Sequence, residues 1–220
     1  MPDATSSGIH HVTLITRDVQ ANVDFYAGFL GLRLVKWTGG DEADLMPLAH
    51  RIAPRATLLG VRGRSHEEGV ARWFRRLTAT TFDQADIRAE AAAFEAFVDG
   101  AVAGYGLDRA GLAFTGFSNG ANFAAAVTAL HPRTIRRAIL LRCMPVLDPL
   151  PEADLAGTDI LMLSGRDDPH GAAAPALEGW LRRSGARVDH RVLDAGHGLV
   201  DGDEALARAW LHDTERNRHG

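Results

Sequence analysis

Runs of strand type and runs of helix type alternate along the second half of the chain, joined by short connections. The apolar segments GLAFTGF, AILLRCMP and DILMLSG each adjoin a run of helical length, and RVDHRVL is followed by the helical run DEALARAWLHD. This alternation favours parallel strands connected by right-handed crossovers, with helices packed on both faces of the sheet. The sequence therefore predicts an α/β fold: a three-layer sandwich with a mostly parallel sheet between two helical layers.

The first half of the chain continues this alternation. Strands are predicted at HHVTLIT (10–16), LRLVKW (32–37) and ATLLGV (56–61). Helices are predicted at 19–31, 41–53 and 83–106. The last two begin with Asp41 and Asp83, whose side chains can cap the first free N–H groups. The stretch between the third strand and the third helix has no regular pattern, which predicts a long loop over 62–82.

Length, charge and cysteine content narrow the class of protein. With 220 residues the chain is long enough for one well-buried α/β domain and short for two, so we expect one domain over 1–220. The net charge of −4 provides no basic field for nucleic acid, and no apolar run reaches the ~18 residues of a membrane span. The single cysteine, Cys143, has no internal disulfide partner, which indicates a reducing, cytoplasmic setting.

The segment GFSNG (116–120) matches the pattern G-x-S-x-G in an informative context. An apolar strand leads into it and a small-residue helix leads out, which is the arrangement of a nucleophile elbow in an α/β-hydrolase-type fold. Ser118 would then project from the carboxyl edge of the sheet at a helix N-terminus, where free N–H groups favour negative charge. The backbone N–H of Asn119 becomes a candidate donor to an oxyanion. The plain alternative is an ordinary serine N-cap.

A nucleophilic serine needs a base and an acid that orients the base, and in this fold the acid and then the histidine follow the serine. SGRDDP (164–169) follows the strand DILML, and AGHG (195–198) follows the strand RVDHRVL, so both lie at carboxyl ends of strands. His197 is the candidate base and Asp168 the candidate orienting acid. Asp167 is the rival acid. Asp168 is preferred because it precedes a proline, which biases it to an extended conformation suited to a long reach.

The predicted roles of several other side chains follow from the elements in which they lie. His66 and His170 lie in predicted loops on the side of the candidate site and are candidates for substrate contact. His190 lies in an alternating strand and is assigned to the surface or to packing. The aromatic pair Trp73 and Phe74, in the long loop, is predicted to line the substrate pocket.

Six segments, taken in order, resemble the phospholipase/carboxylesterase branch of the α/β-hydrolase superfamily. They are TGGDEADLMPLAHRIAPRATLL, RWFRRL with FDQADI, GFSNGAN, LRCMP, SGRDDP and AGHGL, and they cover about residues 38–211. That branch implies a lidless serine esterase without metal or organic cofactor, acting on a small-molecule ester, with the serine, aspartate and histidine named above as its triad. Some members are encoded beside ring-cleaving dioxygenases in quinone-detoxification pathways. The resemblance also places Thr38 and Asn119 where backbone N–H groups form the oxyanion hole.

The N-terminal segment GIHHVTLITRDVQANVDFYAGFLGLRLVK (8–36) resembles a different family, the ring-cleaving dioxygenases of the glyoxalase, or vicinal-oxygen-chelate, superfamily. In that family the second histidine of the HHVT segment is an iron ligand, and it corresponds to His11. Such a site would need a further histidine and a glutamate from later in the chain, where this sequence has the hydrolase segments. We therefore expect no metal site and expect the fragment to complete the hydrolase sheet. An exposed edge strand at HHVTLIT would favour a homodimer.

The two resemblances meet at the predicted oxyanion turn. The hydrolase family has His-Gly directly before TGG, whereas this chain has Lys36 and Trp37. Because a glycine there lets the backbone turn sharply, Trp37 is expected to reshape the turn or narrow the acyl pocket. Three functions are left open: an esterase for small carboxylic esters linked to aromatic or quinone degradation, an impaired remnant of a dioxygenase–hydrolase fusion that serves as a binding module, and a metal-dependent ring-cleaving dioxygenase.

Overall fold

The computed structural model describes residues 42–56, 58–67, 70–78 and 80–216. In chain order their elements are α1 (Glu42–Ile52), β1 (Ser65–Glu67), β2 (Val70–Arg72), α2 (Gln84–Tyr105), β3 (Phe114–Phe117), α3 (Asn119–Leu130), β4 (Arg137–Leu141), β5 (Asp159–Gly165), α4 (Ala174–Arg183), β6 (Arg187–Leu193) and α5 (Asp201–Arg216). The strands predicted at 10–16 and 32–37 and the helix predicted at 19–31 lie outside the described residues.

Four parallel strands form the main sheet in the order β3–β4–β5–β6. Phe117 pairs with Leu141, and Leu141 pairs with Leu163, so the carboxyl ends of the first three strands lie side by side. Every residue of β4 is buried, as expected for a central strand covered by helices on both faces. The loops that follow these strands therefore meet at one edge of the sheet, where ligand sites of such folds lie.

Alternate residues of the central strands point into two separate cores. Ala138 and Leu140 of β4 pack in the core under α2, α3 and α4. Ile139 and Leu141 pack in the opposite core, under α1 and α5. Helices therefore cover both faces of a parallel sheet, which confirms the predicted three-layer α/β fold.

The ends of the long helix α2 follow from local sequence. The Asp83 side chain accepts hydrogen bonds from the N–H groups of Ala85 and Asp86, so the predicted N-cap is confirmed. Gly106 ends the helix with a φ of 62°, a left-handed conformation that glycine adopts without a steric penalty. These two caps set the ends of α2, which packs in the same core as α3, the helix that follows the candidate serine.

Two predictions in the first half of the chain need correction. At ATLLGV, residues 58–60 form no ladder and Val61 makes a single bridge, although Leu58 packs in one core and Leu59 in the other, as in a strand. A strand needs a hydrogen-bonded neighbour along its length, and within the described part of the chain residues 58–60 have none. The predicted loop 62–82 contains the antiparallel pair β1–β2, whose strands are three residues each and too short to give a period-2 pattern.

None of the helices in the described ranges combines the length and the apolar character needed to cross a bilayer.

Candidate active site

Ser118 lies between the end of β3 and the first residue of α3. Its φ of 50° and ψ of −115° lie outside the regions that a serine normally adopts. The Ser118 N–H donates to the Leu141 carbonyl of the neighbouring strand at 2.9 Å, and its own carbonyl accepts the first helical hydrogen bond, from Asn122 at 2.9 Å. The residue is thus fixed on both sides of a sharp strand-to-helix turn. This is the backbone arrangement of a nucleophile elbow.

The glycine two residues before the serine allows this turn. A Cβ atom at Gly116 would lie 2.6 Å from the backbone nitrogen of Ala121 and 2.6 Å from the carbonyl carbon of Gly120, so the strand and the helix meet too closely for a side chain. A Cβ atom at Gly120 would instead lie 3.4 Å from Nε1 of Trp73. The two glycines of G-x-S-x-G therefore have different roles. Gly116 allows close contact between the strand and helix backbones, and Gly120 leaves room for the indole ring of Trp73.

The structure brings Ser118, His197 and Asp168 together in one chain of hydrogen bonds. Nε2 of His197 lies 3.0 Å from Oγ of Ser118, and Nδ1 of His197 lies 3.0 Å from Oδ2 of Asp168. Asp168 follows β5 and His197 follows β6, so the three side chains converge from three strand ends although they are up to 79 residues apart. The imidazole can take a proton from the hydroxyl while the carboxylate holds the opposite ring N–H.

The Asp168 carboxylate is buried, and both of its oxygens have hydrogen-bond partners. Its side chain is 2% exposed, and Oδ1 accepts from the backbone N–H of His170 at 2.9 Å while Oδ2 faces His197. Burial alone raises the pKa of the carboxyl, but the hydrogen bonds from His170 and His197 outweigh it, so the pKa of Asp168 is lowered. The rival Asp167 is exposed, and its backbone N–H donates to the Ala195 carbonyl. Only Asp168 is placed to orient the imidazole.

His197 remains accessible on its open side. Its side chain is 35% exposed, and the rings of Phe117 and His170 each lie 5.3 Å from the imidazole. His170, a predicted substrate contact, is exposed and stands edge-on to His197, so it borders the site. A Cβ atom at Gly165 would lie 2.2 Å from the Gly196 carbonyl oxygen, which shows how closely the His197 loop packs on the end of β5.

The two aromatic residues predicted to line the pocket have different positions. Trp73 is half-buried, stacks on Phe123 with ring centroids 4.5 Å apart, and has its backbone N–H bound by Oδ1 of Asn119 at 2.8 Å. It therefore borders the elbow. Phe74 is 0% exposed and packs edge-on against Phe82 in the core, so the prediction that it lines the pocket is wrong. Adjacent aromatic residues face different sides of this segment, and sequence does not tell which one faces inward.

Asn119 occupies the first position of α3. The first intrahelical hydrogen bond comes from Asn122, so the backbone N–H of Asn119 is not part of the helical hydrogen-bond ladder.

Thr38, Trp37 and the candidate iron ligand His11 lie outside the described residues, as does the fragment 8–36. In the described ranges, no three His, Cys, Asp or Glu side chains are grouped so that they could hold a metal ion.

Two polar clusters were missed at the sequence level. Arg142 is fully buried and forms an ion pair with Asp203 beside the His197 loop. His190 was assigned to surface or packing, but its ring joins Oγ of Ser164 at 2.9 Å to Glu178 at 2.7 Å. The arginine in LRCMP interrupts an otherwise apolar run, and that is a signal sequence reasoning could have used. The Ser164–His190–Glu178 contacts join three separate elements, so no pattern of neighbouring residues in the sequence indicates them.

Comparisons with known proteins agree with this geometry. The Bacillus subtilis (strain 168) protein MhqD, provisionally described as a hydrolase, is 34% identical over 184 residues, which cover 83% of this chain and 92% of MhqD. A carboxylesterase from Mesorhizobium loti has a solved structure that superposes with a TM-score of 0.77 and 47% identity, covering 80% of this chain and 85% of that one.

The N-terminal part has a second likeness. The family model of the glyoxalase/bleomycin resistance protein/dioxygenase superfamily matches residues 8–125. The B. subtilis protein MhqO, provisionally described as a ring-cleaving dioxygenase, is 68% identical over 31 residues, which are 14% of this chain and 10% of MhqO. The strong identity to a dioxygenase is thus confined to a short segment, whereas the hydrolase likeness extends over most of the chain. The chain belongs to the phospholipase/carboxylesterase type of α/β-hydrolases, and its N-terminal part also belongs to the glyoxalase superfamily.

Proposed function

We propose that this carboxylic-ester hydrolase acts on small esters through an acyl-enzyme intermediate formed on Ser118. The observation that carries the proposal is the hydrogen-bonded chain from Ser118 through His197 to Asp168 at a strained strand-to-helix turn. An ordinary serine N-cap would use its hydroxyl to bind the helix N–H groups, and Ser118 makes no such capping bond in the structure. Its hydroxyl is instead paired with an imidazole.

In the proposed reaction, named atoms of Ser118, His197 and Asp168 carry out each step. Oγ of Ser118 attacks the ester carbonyl carbon while Nε2 of His197 takes the hydroxyl proton, and Asp168 stabilises the imidazolium through Nδ1–H. The carbonyl oxygen becomes an oxyanion that accepts from the backbone N–H of Asn119 and, by sequence resemblance, of Thr38. The imidazolium gives its proton to the leaving alcohol. Water then repeats the cycle and releases the carboxylic acid and free Ser118.

The substrate class follows from what borders the serine. His170 borders His197, and the half-buried Trp73 lies beside Gly120 in the elbow, so an aromatic side chain is available to contact the acyl or alcohol part. The N-terminal segment, 68% identical over 31 residues to the ring-cleaving dioxygenase MhqO, supports small esters from aromatic or quinone degradation as the natural substrates.

The test is hydrolysis of p-nitrophenyl esters from acetate to octanoate by three forms of the protein. Wild type and Ser164→Ala are expected to hydrolyse the short esters, and Ser118→Ala is expected to lose about 10⁶-fold in kcat, as removal of a nucleophilic serine does. Ser164 is a matched control because it also bonds a histidine that bonds a carboxylate, but it is 6% exposed. Equal activity of wild type and Ser118→Ala would overturn the proposal.

The second candidate is a metal-dependent ring-cleaving dioxygenase, favoured by the family-model match over 8–125. It predicts iron in the purified protein by elemental analysis and loss of that iron in His11→Ala. Ester hydrolysis that persists without iron, and that Ser118→Ala abolishes, supports the esterase alone.

A further inference from the structure

Arg142 lies directly after β4, and its guanidinium contacts the backbone on both sides of His197. Its side chain is 0% exposed. Nε donates to the Gly196 carbonyl at 3.0 Å, and Nη2 donates to the Gly198 carbonyl at 2.9 Å. The residues immediately before and after the histidine are therefore held by one rigid planar group. Because the guanidinium is removed from water, solvent does not compete for these two carbonyls.

Asp203 provides the countercharge and holds the far end of the same loop. Its two carboxylate oxygens each lie 2.8 Å from a terminal nitrogen of Arg142, a bidentate pair with both side chains fully buried. Oδ2 also accepts from the Val200 backbone N–H at 2.8 Å. The ion pair thus spans the loop from Gly196 to Val200, and both of its charges are satisfied.

The backbone of Arg142 indicates that this position is constrained. Among the described residues, Ser118 and Arg142 are the non-glycine residues with a positive φ, 50° and 56°. They follow Phe117 and Leu141, which are paired in register, so the two strained residues are neighbours on the same edge of the sheet. Strained residues persist where the surrounding structure fixes them, and they cluster at functional sites.

We propose that Arg142 is a positioning residue that fixes the His197 backbone relative to Ser118, with Asp203 as its support. The inference rests on the proposed serine-esterase function. The Nε2–Oγ distance of 3.0 Å depends on where the 196–198 backbone lies, because His197 follows a strand end in a loop rather than lying within a helix or strand. A displacement of about 1 Å in such a contact can lower turnover about 10²-fold.

The test compares two arginine-to-lysine substitutions, one at the residue that begins β4 and one at the residue that follows its end. Arg142→Lys keeps the charge opposite Asp203 but loses the planar fork that reaches both carbonyls. Arg137→Lys is the matched control: Arg137 and Arg142 are each 3% exposed as whole residues, and Arg137 also donates to two backbone carbonyls, those of Leu112 and Gly111, but it begins β4 at the opposite end of the sheet. We expect Arg142→Lys to lower kcat about 10- to 100-fold with KM within about twofold, and Arg137→Lys to keep wild-type kcat per folded molecule.

A second readout does not depend on catalysis. The hydrogen-bonded Nδ1–H of His197 is expected to give a low-field proton resonance, assigned by its absence in His197→Ala. The resonance should persist in Arg137→Lys and be shifted or broadened in Arg142→Lys. If Arg142→Lys does not fold, Asp203→Asn is measured instead, with the same expected direction.

The outcomes separate the two proposals. Wild-type kcat and an unchanged resonance in Arg142→Lys would overturn the positioning role, and so would equal losses in both lysine variants. A wild-type protein that hydrolyses no ester contradicts the proposed function, whereas the resonance still reports whether Arg142 fixes His197.

Discussion

At the scale of single residues, the proposed nucleophile is distinguished by its surroundings rather than by its residue type. Ser118 and Ser164 each bond a histidine, but Ser118 occupies a strained turn beside a helix N-terminus and faces a half-exposed imidazole. Ser164 lies within β5 and is buried. A buried Ser–His–acid chain satisfies polar groups in the core, whereas an accessible one can act on a substrate.

The two adjacent aspartates after β5 give a direct test of the orienting acid. Asp168→Asn should lower kcat about 10⁴-fold, because an amide in place of the carboxylate no longer fixes the imidazole tautomer or stabilises the imidazolium. Asp167→Asn should change kcat little, since Asp167 is exposed and holds its place through its backbone N–H. Steady-state kinetics on a short p-nitrophenyl ester measure both. The opposite ranking of the two variants would assign the acid to Asp167.

The lowered pKa of Asp168 also predicts an effect on stability in acid. Because the folded-state pKa lies below the ordinary value near 3.9, the ionised carboxylate stabilises the fold above that value, and this contribution is lost as the pH falls through the folded-state pKa. The difference in unfolding free energy between wild type and Asp168→Asn should therefore shrink as the pH is lowered from about 5 to about 2.5. Urea unfolding at a series of pH values measures it, and a constant difference would contradict the assignment.

At the scale of secondary-structure elements, the site depends on how closely α3 crosses the end of β3. Their contact at Gly116 is backbone against backbone. The three strand ends that carry Ser118, Asp168 and His197 then meet at one edge because the sheet is parallel and in register. The arrangement of the strands thus brings the three proposed catalytic residues together at one edge of the sheet.

Two glycine-to-alanine substitutions test this element-level argument. Gly116→Ala should lower stability and ester turnover together, because its Cβ would lie 2.6 Å from the backbone of α3. Gly100→Ala in the middle of α2 has no atom within 4 Å of the added carbon and should raise the free energy of unfolding by up to about 1 kcal/mol without changing kcat. Chemical unfolding and ester kinetics measure both. A harmless Gly116→Ala would contradict the close β3–α3 contact.

The sequence predicted those elements in which the apolar pattern extends over enough residues to be recognised. The helices α1 to α5 and the strands β3 to β6 were anticipated because apolar and polar positions repeat over seven or more residues or follow a clear turn. The cap at Asp83 was also predicted correctly, since capping depends on residues close in sequence.

The features that sequence missed depend on contacts between distant segments. The β1–β2 pair has strands of three residues, too short to show a period. The inward orientation of Phe74 and the positive φ of Arg142 are set by neighbouring elements, not by local composition. For the same reason, Arg142 and Asp203, 61 residues apart, gave no sign of their pairing.

At the scale of the whole molecule, the chain is similar to a hydrolase over most of its length and to a ring-cleaving dioxygenase over a short segment. The described core consists of two apolar clusters, one on either side of the sheet. The join predicted at Lys36 and Trp37 lies outside the described residues, so both the join and its effect on turnover are predictions from sequence.

Restoring the family's glycine at the join tests that prediction. Trp37→Gly should raise kcat, at most by the roughly 10²- to 10³-fold that one oxyanion donor contributes, because the backbone before Thr38 regains the freedom to turn. Lys36→Ala, the neighbouring change, should give no such gain. Unchanged kcat in Trp37→Gly, with a wild type that is already fast, would show that the join does not impair the site.

The most direct measurement is covalent labelling by a fluorophosphonate followed by peptide mass mapping. We expect one adduct per chain, on the peptide that contains Ser118, with labelling lost in Ser118→Ala and retained in Ser164→Ala. A folded wild-type protein that takes up no label, or an adduct that persists in Ser118→Ala, would contradict the claim that Ser118 is the activated nucleophile.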